Sequence, residues 1–204
     1  FRNSKVLPNP LRFSRTLTKA PARENRFIAT FVAVGRLVEQ KNYPYMLNLL
    51  SHLEIPFHLR IFGPGDPKML IREIDKLGLA SRISLEGMVS QDRLLAAVEA
   101  SDVFLMTSDF EGEPSSLLEA AFLGVPVVGR DTPGLGSAVK KVGGFLITED
   151  MDLPEKVQTV LKALKQNRNR IAIDEWANQH DPTLASHKYC ELVLDLTKTS
   201  SKHS

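Results

Sequence analysis

Short apolar runs rich in β-branched residues alternate with amphipathic segments along most of the chain. This alternation is typical of βαβ units, in which helices connect the strands of a parallel sheet. The predicted strands are 27–34, 57–63, 82–87, 102–107, 125–129 and 144–148. The predicted helices are 43–53, 67–77, 91–100 and 114–123. The pattern predicts a doubly wound, Rossmann-like α/β domain over residues 27–150, with about six parallel strands and helices on both faces of the sheet.

The two ends of the chain differ from this middle part. Residues 151–204 show helical periodicity only, with Pro154 and Pro182 at predicted helix starts. Residues 1–26 contain a single acid and an excess of bases, which are Arg2, Lys5, Arg12, Arg15, Lys19, Arg23 and Arg26. Such a segment could contact an anionic membrane surface, but we favour a solvated interdomain linker. The expected organisation is therefore a linker, a Rossmann-like domain and C-terminal helices.

The overall composition narrows the class of protein. The 204 residues are 43 % hydrophobic and 25 % charged, as in ordinary folded proteins. The formal charge of +2 is too balanced for a protein that binds nucleic acid by neutralising phosphates. No apolar run is long enough to cross a membrane, and the single cysteine, Cys190, fits a reducing compartment. We therefore expect a cytoplasmic protein, with any membrane contact peripheral, and the absence of an initiating Met suggests a piece of a longer chain.

Ligands of doubly wound sheets bind beyond the carboxyl ends of the strands, so we expect the site residues in the loops that follow strands. The loop after the first strand contains Gly35, Arg36 and Lys41. A glycine allows close approach of a ligand, and the two cations could clamp a diphosphate. The alternative is that both side chains are simply solvated, as exposed cations usually are.

The loop after the fourth strand leads into a predicted helix. Pro114 suits the first helical position, which leaves the N–H groups of Ser115, Ser116 and Leu117 without intrahelical partners. With the helix dipole, these groups form an end that binds phosphate or sugar hydroxyls.

Two acids of this region have two interpretations each. Glu119 is the only charge between Ser115 and Gly124, so it either binds a polar partner such as a ribose diol or marks a solvated face of the helix. Glu111 either accepts hydroxyl groups of a sugar or is an acid that favours a helix N-terminus. The pattern alone leaves both pairs of alternatives open.

Two further signals are set aside. Asp150, Met151 and Asp152 form an aspartate–any–aspartate triplet, but they precede Pro154 and a helix, so helix capping explains them and no metal site is predicted. The segment GLGSAV at 134–139 lacks the third glycine of a dinucleotide fingerprint and follows a late strand, so NAD binding is discarded.

The spacing of these acids resembles a known motif. Glu111 and Glu119, separated by seven residues in EGEPSSLLEAAFLGVPVV, resemble the twin-glutamate motif of retaining glycosyltransferases with the two-domain GT-B fold, specifically glycosyltransferase family four (group 1). The segments GRLVEQKN, SLEGMV and VLPNP resemble other segments of this family in the same order, over most of residues 6–148. The resemblance is to the second, donor-binding half of the fold, and the acceptor-binding domain is missing.

The resemblance implies a role for each matching residue. Arg36 and Lys41 would hold the donor's diphosphate, and Glu119 would hold the nucleotide ribose. Glu111 would position the transferred sugar, without acting as a nucleophile. The remaining donor contacts would come from loop backbone at Gly112, Glu113, Ser115 and Ser116, and the base would lie beside Gly87, Met88 and Val89. Pro114 stands where many relatives have glycine, so it offers no N–H to the donor.

The implied activity is transfer of a sugar, with retention of anomeric configuration, from a UDP-, GDP- or ADP-sugar to a sugar or lipid-linked acceptor. Fixed cations would stabilise charge on the leaving diphosphate, so no metal or other cofactor is expected. The habit of the family suggests polysaccharide or lipopolysaccharide biosynthesis at the inner face of the cell membrane. The alternatives are a nucleotide-sugar epimerase of the same fold and a non-catalytic nucleotide-binding module.

Overall fold

The computed structural model describes residues 28–148, Leu153 and residues 155–159. Within them the strands are β1 Ala29–Val34, β2 Phe57–Phe62, β3 Ile83–Gly87, β4 Val103–Met106, β5 Val127–Arg130 and β6 Phe145–Ile147. The α-helices are α1 Tyr43–Ser51, α2 Lys68–Lys76, α3 Gln91–Glu99, α4 Ser115–Phe122 and α5 Leu135–Lys141. A short 3-10 helix, Glu39–Lys41, precedes α1. Leu153 and residues 155–159 are helical, while the predicted linker and most of the predicted C-terminal helices lie outside the described residues.

The predicted α/β architecture is confirmed, with one helix missed. All predicted strands and helices of the sheet domain appear within two residues of their predicted bounds. No helix was predicted at the position of α5, where Pro133, Gly134 and Gly136 are typical of turns. Its buried face follows helical spacing, at Leu135, Ala138 and Val139, and this was the signal that the sequence offered.

The sheet has the strand order β3-β2-β1-β4-β5-β6, and every neighbouring pair is parallel. The order reverses between β1 and β4, which is the switch point of a doubly wound sheet. β1 pairs with β2 along its whole length, from Ala29 to Val34. With β4 it pairs only at Phe31 and Val32. The two central strands therefore part before their carboxyl ends.

Apolar side chains that alternate along the strands form a core on each face of the sheet. Phe31 and Leu59 face one side, where they pack with buried residues of α1 and α2. Val32 and Phe104 face the other side, where they pack with α3, α4 and α5. No helix in the described part of the chain is long and apolar enough to cross a membrane.

Candidate functional site

A cleft opens where β1 and β4 part. It is lined by the ends of the two strands and by the loops that follow them, at Ala33, Val34, Lys41, Tyr43, Met46, Leu105, Met106, Thr107 and Ser108. This is the position, beyond the carboxyl ends of strands at a switch point, where open α/β sheets bind ligands.

The loop after β1 is fixed by contacts of Gly63 and Tyr43 with its backbone. A Cβ atom on Gly63 would lie 2.0 Å from the carbonyl oxygen of Gly35, so the loops after β1 and β2 can touch only because residue 63 has no side chain. The same carbonyl accepts a hydrogen bond of 2.9 Å from the Tyr43 hydroxyl. A Cβ on Gly35 itself would lie 2.9 Å from Cε of Lys41, so the lysine stem rests on this backbone.

Lys41 and Glu111 form an ion pair across the mouth of the cleft. The distance from Lys41 Nζ to Glu111 Oε1 is 2.6 Å, and the side chains are only 15 % and 8 % exposed. Charges removed from water to this extent need a partner, and each of these residues supplies it for the other. The structure thus brings together two of the predicted site residues, and the Glu111 carboxylate lies on a cation.

Hydrogen bonds join the two loops along their length. The Asp109 amide donates to the Gln40 carbonyl at 2.9 Å, and Gln40 Nε2 donates to the Phe110 carbonyl at 2.9 Å. Thr107 Oγ1 donates to the Asn42 carbonyl at 3.1 Å. These contacts satisfy backbone groups that no sheet partner reaches, so the loops form one unit at the mouth of the cleft.

A third loop supports Glu111 from the side of β5. The Glu111 amide donates to the Pro133 carbonyl at 3.0 Å. Gly134 has φ +76°, and a Cβ atom there would lie 1.6 Å from the Glu111 carbonyl oxygen. Glycine is therefore required at residue 134 both by backbone conformation and by this contact.

The start of α4 differs from the prediction in two details. Pro114 lies just before the helix, at its N-cap with ψ 100°, and not at the first helical position. The Leu117 amide donates to the Pro114 carbonyl at 3.1 Å, so it is not free for a ligand. In the described part of the chain, the amides of Ser115 and Ser116 have no backbone acceptor. Ser116 Oγ donates to the Val34 carbonyl at 3.3 Å, which fixes the helix start against the end of β1.

Glu119 is buried, with 8 % of its surface exposed. The interpretation that Glu119 marks a solvated face of α4 is therefore wrong. Every residue of α4 from Leu117 to Phe122 is buried, because the helix packs between the sheet and its neighbours.

The other predicted site residues are exposed to differing degrees. Arg36 lies on the same loop as Lys41 but is exposed and pairs with no acid among the described residues. Gly112 is exposed, and Glu113 is partly buried. Met88 is 80 % exposed beyond the end of β3, beside Gly87 and the partly buried Val89. All these residues lie at the ends of strands or on the loops that follow them, at the same edge of the sheet.

Several residues of the site were not predicted from the sequence. Tyr43, Ser108 and Gly134 carry no motif, and their contacts join segments far apart in the chain. Ser108 lines the cleft, and its Oγ is buried with no hydrogen-bond partner in the described residues. Its only signal was a polar residue directly after an apolar strand.

Nothing in the described residues gathers three or more His, Cys, Asp or Glu side chains where they could hold a metal ion. The Asp150–Met151–Asp152 triplet lies outside those residues.

Comparison with protein families gives one match. Residues 17–178 match the family described as glycosyl transferases group 1. The match includes the whole of the described sheet and its carboxyl-end loops.

Curated proteins similar to the chain are named as glycosyltransferases. The chain is 30 % identical over 150 residues to the putative colanic acid biosynthesis glycosyltransferase WcaL of Escherichia coli (strain K12), an alignment that covers 68 % of the chain and 36 % of WcaL. It is 28 % identical over 176 residues to the amylovoran biosynthesis glycosyltransferase AmsD of Erwinia amylovora, covering 84 % of the chain and 48 % of AmsD. The chain thus spans less than half of the length of these relatives.

Solved structures share the fold. The lipopolysaccharide outer core galactosyltransferase WaaB, in its apo form, aligns with a TM-score of 0.76 and 23 % identity over 94 % of the chain and 55 % of WaaB. Anabaena Alr3699/HepE in complex with UDP-glucose aligns with a TM-score of 0.71 and 22 % identity over 84 % of the chain and 49 % of HepE.

The contact between Gly134 and Glu111 predicts that Gly134→Ala lowers the free energy of unfolding more than Gly124→Ala does. Gly124 has φ +73°, close to the +76° of Gly134, but a Cβ at Gly124 would meet nothing within 4 Å. Gly124→Ala should cost about 1–2 kcal/mol for the left-handed backbone alone. Gly134→Ala should cost at least about 2 kcal/mol more, because the Glu111 loop must also move. Urea denaturation of both variants measures the difference, and equal losses would contradict the contact.

The buried Tyr43 hydroxyl predicts that the folding stability falls at alkaline pH. Burial, and then the Glu111 carboxylate, raise the pKa of Tyr43 well above its ordinary value. Above about pH 10 a tyrosine ionises in the unfolded chain, while Tyr43 in the folded chain keeps its proton. The stabilisation that comes from the protonated hydroxyl is therefore complete below about pH 10 and declines as the pH rises further.

The measurement compares the native sequence with Tyr43→Phe by urea denaturation at about pH 8 and about pH 11. At the lower pH the variant should lose about 1 kcal/mol, the net value of one hydrogen bond to a carbonyl. At the higher pH the difference should shrink, because only the native sequence has this titration. A difference in unfolding free energy that does not change with pH would contradict the shifted pKa.

Proposed function

The chain belongs to the group 1 glycosyl transferases, and from this we propose that it binds the nucleotide-diphosphate sugar in a retaining glycosyltransferase of family four. The observation that carries the proposal is the Lys41–Glu111 ion pair, which is nearly buried at the switch point of the sheet. A cation and a hydroxyl-accepting carboxylate side by side suit a ligand that joins a phosphate to a sugar.

The donor's diphosphate is the ligand that we assign to the two cations. Lys41 supports the assignment because it lines the cleft and its side chain is only 15 % exposed. Arg36 is exposed on the same loop, where its guanidinium can reach an incoming anion. In transfer, these fixed charges would stabilise the negative charge that develops on the leaving diphosphate. This role requires no metal ion.

The transferred sugar is the ligand that we assign to Glu111. Donor binding would draw Lys41 toward phosphate, and the Glu111 carboxylate would then exchange an ammonium partner for sugar hydroxyls. Its backbone is held by Pro133 and Gly134, which suits a positioning role that depends on a fixed carboxylate. We do not assign Glu111 as a nucleophile.

Helix α4 would bind the rest of the donor. The amides of Ser115 and Ser116 begin a helix whose dipole favours anions, and the backbone of Gly112 and Glu113 leads into it. Glu119, buried on α4, would bind the ribose diol. The base would lie toward Gly87, Met88 and Val89, at the β3 end of the same sheet edge.

The biological setting follows from the names of the relatives. Colanic acid, amylovoran and lipopolysaccharide biosynthesis support a role in bacterial polysaccharide or lipopolysaccharide assembly. We propose that the acceptor is a sugar or lipid-linked sugar. It would be bound by the half of the enzyme that the relatives possess outside the matched region. A cytoplasmic enzyme at the inner face of the membrane fits such an acceptor.

Calorimetric titration with UDP, GDP, ADP and their sugar conjugates tests the donor site. We expect saturable binding of one nucleotide series, unchanged by EDTA. Glu119→Ala should weaken it by about 1–3 kcal/mol, the cost of leaving polar groups unpaired. Arg36→Ala should weaken it as well, whereas Arg72→Ala, an exposed arginine on α2, should not. Affinity equal to that of the native sequence in Glu119→Ala would remove this residue from the site.

Retention is tested on the full-length enzyme with the donor that titration identifies. Slow transfer to water should release a free sugar whose first-formed anomer is that of the donor, as observed by proton NMR before mutarotation. Release of the opposite anomer would contradict retention. Turnover of the donor to an epimer, without release of sugar, would contradict the assignment as a transferase.

A further inference from the structure

A second polar cluster lies beside the Lys41–Glu111 pair and joins the loops that follow β1, β4 and β5. Its centre is Asp109, whose Oδ1 accepts hydrogen bonds from Asn42 Nδ2 at 2.8 Å and from Arg130 Nη1 at 2.7 Å. Arg130 is the last residue of β5, two strands away from β1 in the sheet. One carboxylate oxygen thus binds groups from two other loops.

Arg130 is held in place by more than this ion pair. Its guanidinium carbon lies 4.2 Å from the centre of the Tyr45 ring, within the range of a cation–π contact. Tyr45 is in the first turn of α1, three residues after Asn42. Arg130 therefore reaches from β5 to both the loop after β4 and the first turn of α1.

The turn at Asn42 is the part of this arrangement that needs support. Asn42 has φ 45° and ψ 49°, a left-handed conformation that residues with a side chain rarely adopt and that asparagine tolerates when its side chain is hydrogen-bonded locally. Its Oδ1 accepts from the Tyr45 amide at 3.2 Å, and its Nδ2 binds Asp109. Both ends of the amide are therefore used to hold the residue that follows Lys41.

The same cluster acts on the other charged residue of the site. Asp109 stands two positions before Glu111, and its own amide is bonded to Gln40. Movement of the Asp109 side chain would therefore loosen the loop on which Glu111 stands as well as the turn next to Lys41. No bond of the cluster is made to the Lys41 ammonium or the Glu111 carboxylate themselves.

We propose that Asp109 and Arg130 are positioning residues for donor binding, which fix the relative placement of Lys41 and Glu111 through Asn42. The proposal rests on the proposed function, because it assigns the pair a task in the same site. Without Asp109 and Arg130, the Lys41 and Glu111 side chains would be held less closely in the arrangement that a sugar diphosphate requires.

The solvent exposure of Asp109 and Arg130 allows a positioning role to be distinguished from a contribution to folding stability. The Asp109 and Arg130 side chains are 44 % and 30 % exposed, and ion pairs in contact with water contribute little to folding. We therefore expect variants at either residue to fold and to keep most of their thermal stability. Their effect should appear in ligand affinity.

The test measures binding of UDP, GDP and ADP, and of the glucose conjugate of the tightest binder, by calorimetry on the full chain. Arg130→Gln and Asp109→Ala should each weaken affinity about tenfold, more for the sugar conjugate than for the nucleotide. The double variant should bind the ligand about as tightly as the single variant with the lower affinity, because both residues act through one cluster. Arg130→Lys should recover part of the lost affinity.

The control variant is Lys140→Gln. It removes an exposed ion pair with Asp131, the residue after β5, and should bind as the native sequence does.

Asp109→Ala distinguishes positioning from a simple effect of charge. Removing an acid beside a diphosphate site should strengthen anion binding if only the electrostatic field mattered, whereas loss of positioning weakens it. Unchanged or stronger binding in Asp109→Ala, or additive losses in the double variant, would overturn the proposal while leaving the donor site intact. Failure of the native sequence to bind any of the nucleotides or conjugates would instead overturn the proposed function, and this proposal with it.

Discussion

The parting of β1 and β4 is the constraint on which the site depends. Reversal of strand order puts these strands side by side, but they pair only near Phe31 and Val32. Beyond that point the backbone groups of two loops have no sheet to satisfy them, and buried polar groups that are left unpaired are costly. The bonds of Gln40 and Thr107 across the gap meet this requirement, and they also give the cleft its fixed mouth.

Burial makes the two central charges dependent on each other. Lys41 and Glu111 are separated by 70 residues in the chain and lie 2.6 Å apart with little exposure. Neither charge has enough water around it to remain unpaired, so a ligand that takes one partner must also satisfy the other. A molecule with a phosphate next to hydroxyl groups meets both demands at once, whereas phosphate alone would leave the Glu111 carboxylate without its cation.

Most of the fold could be predicted from local sequence, because buried parallel strands appear as apolar, β-branched runs such as those of β1 and β4. Helix α5 was missed because Gly134 and Gly136 resemble loop residues, although Gly134 is needed for contact with Glu111. Of the candidate site residues, Lys41 and Glu111, which the structure brings together, could be proposed from the sequence because they lie in loops that follow predicted strands. Nothing in the sequence pointed to Arg130, because its contacts with Asp109 and Tyr45 join residues that are far apart in the chain.

The open position at Gly112 has a consequence for the diversity of such enzymes. Gly112 directly follows Glu111 but is exposed, and a side chain there would meet no atom within 4 Å. Gly134, in the loop after β5, cannot take a side chain without displacing the Glu111 carbonyl, whereas Gly112, next to Glu111, can take one at little steric cost. Under the proposed function, substitutions at position 112 would add contacts to the transferred sugar while the fold stays as it is. A change in sugar selectivity could then arise from this one position.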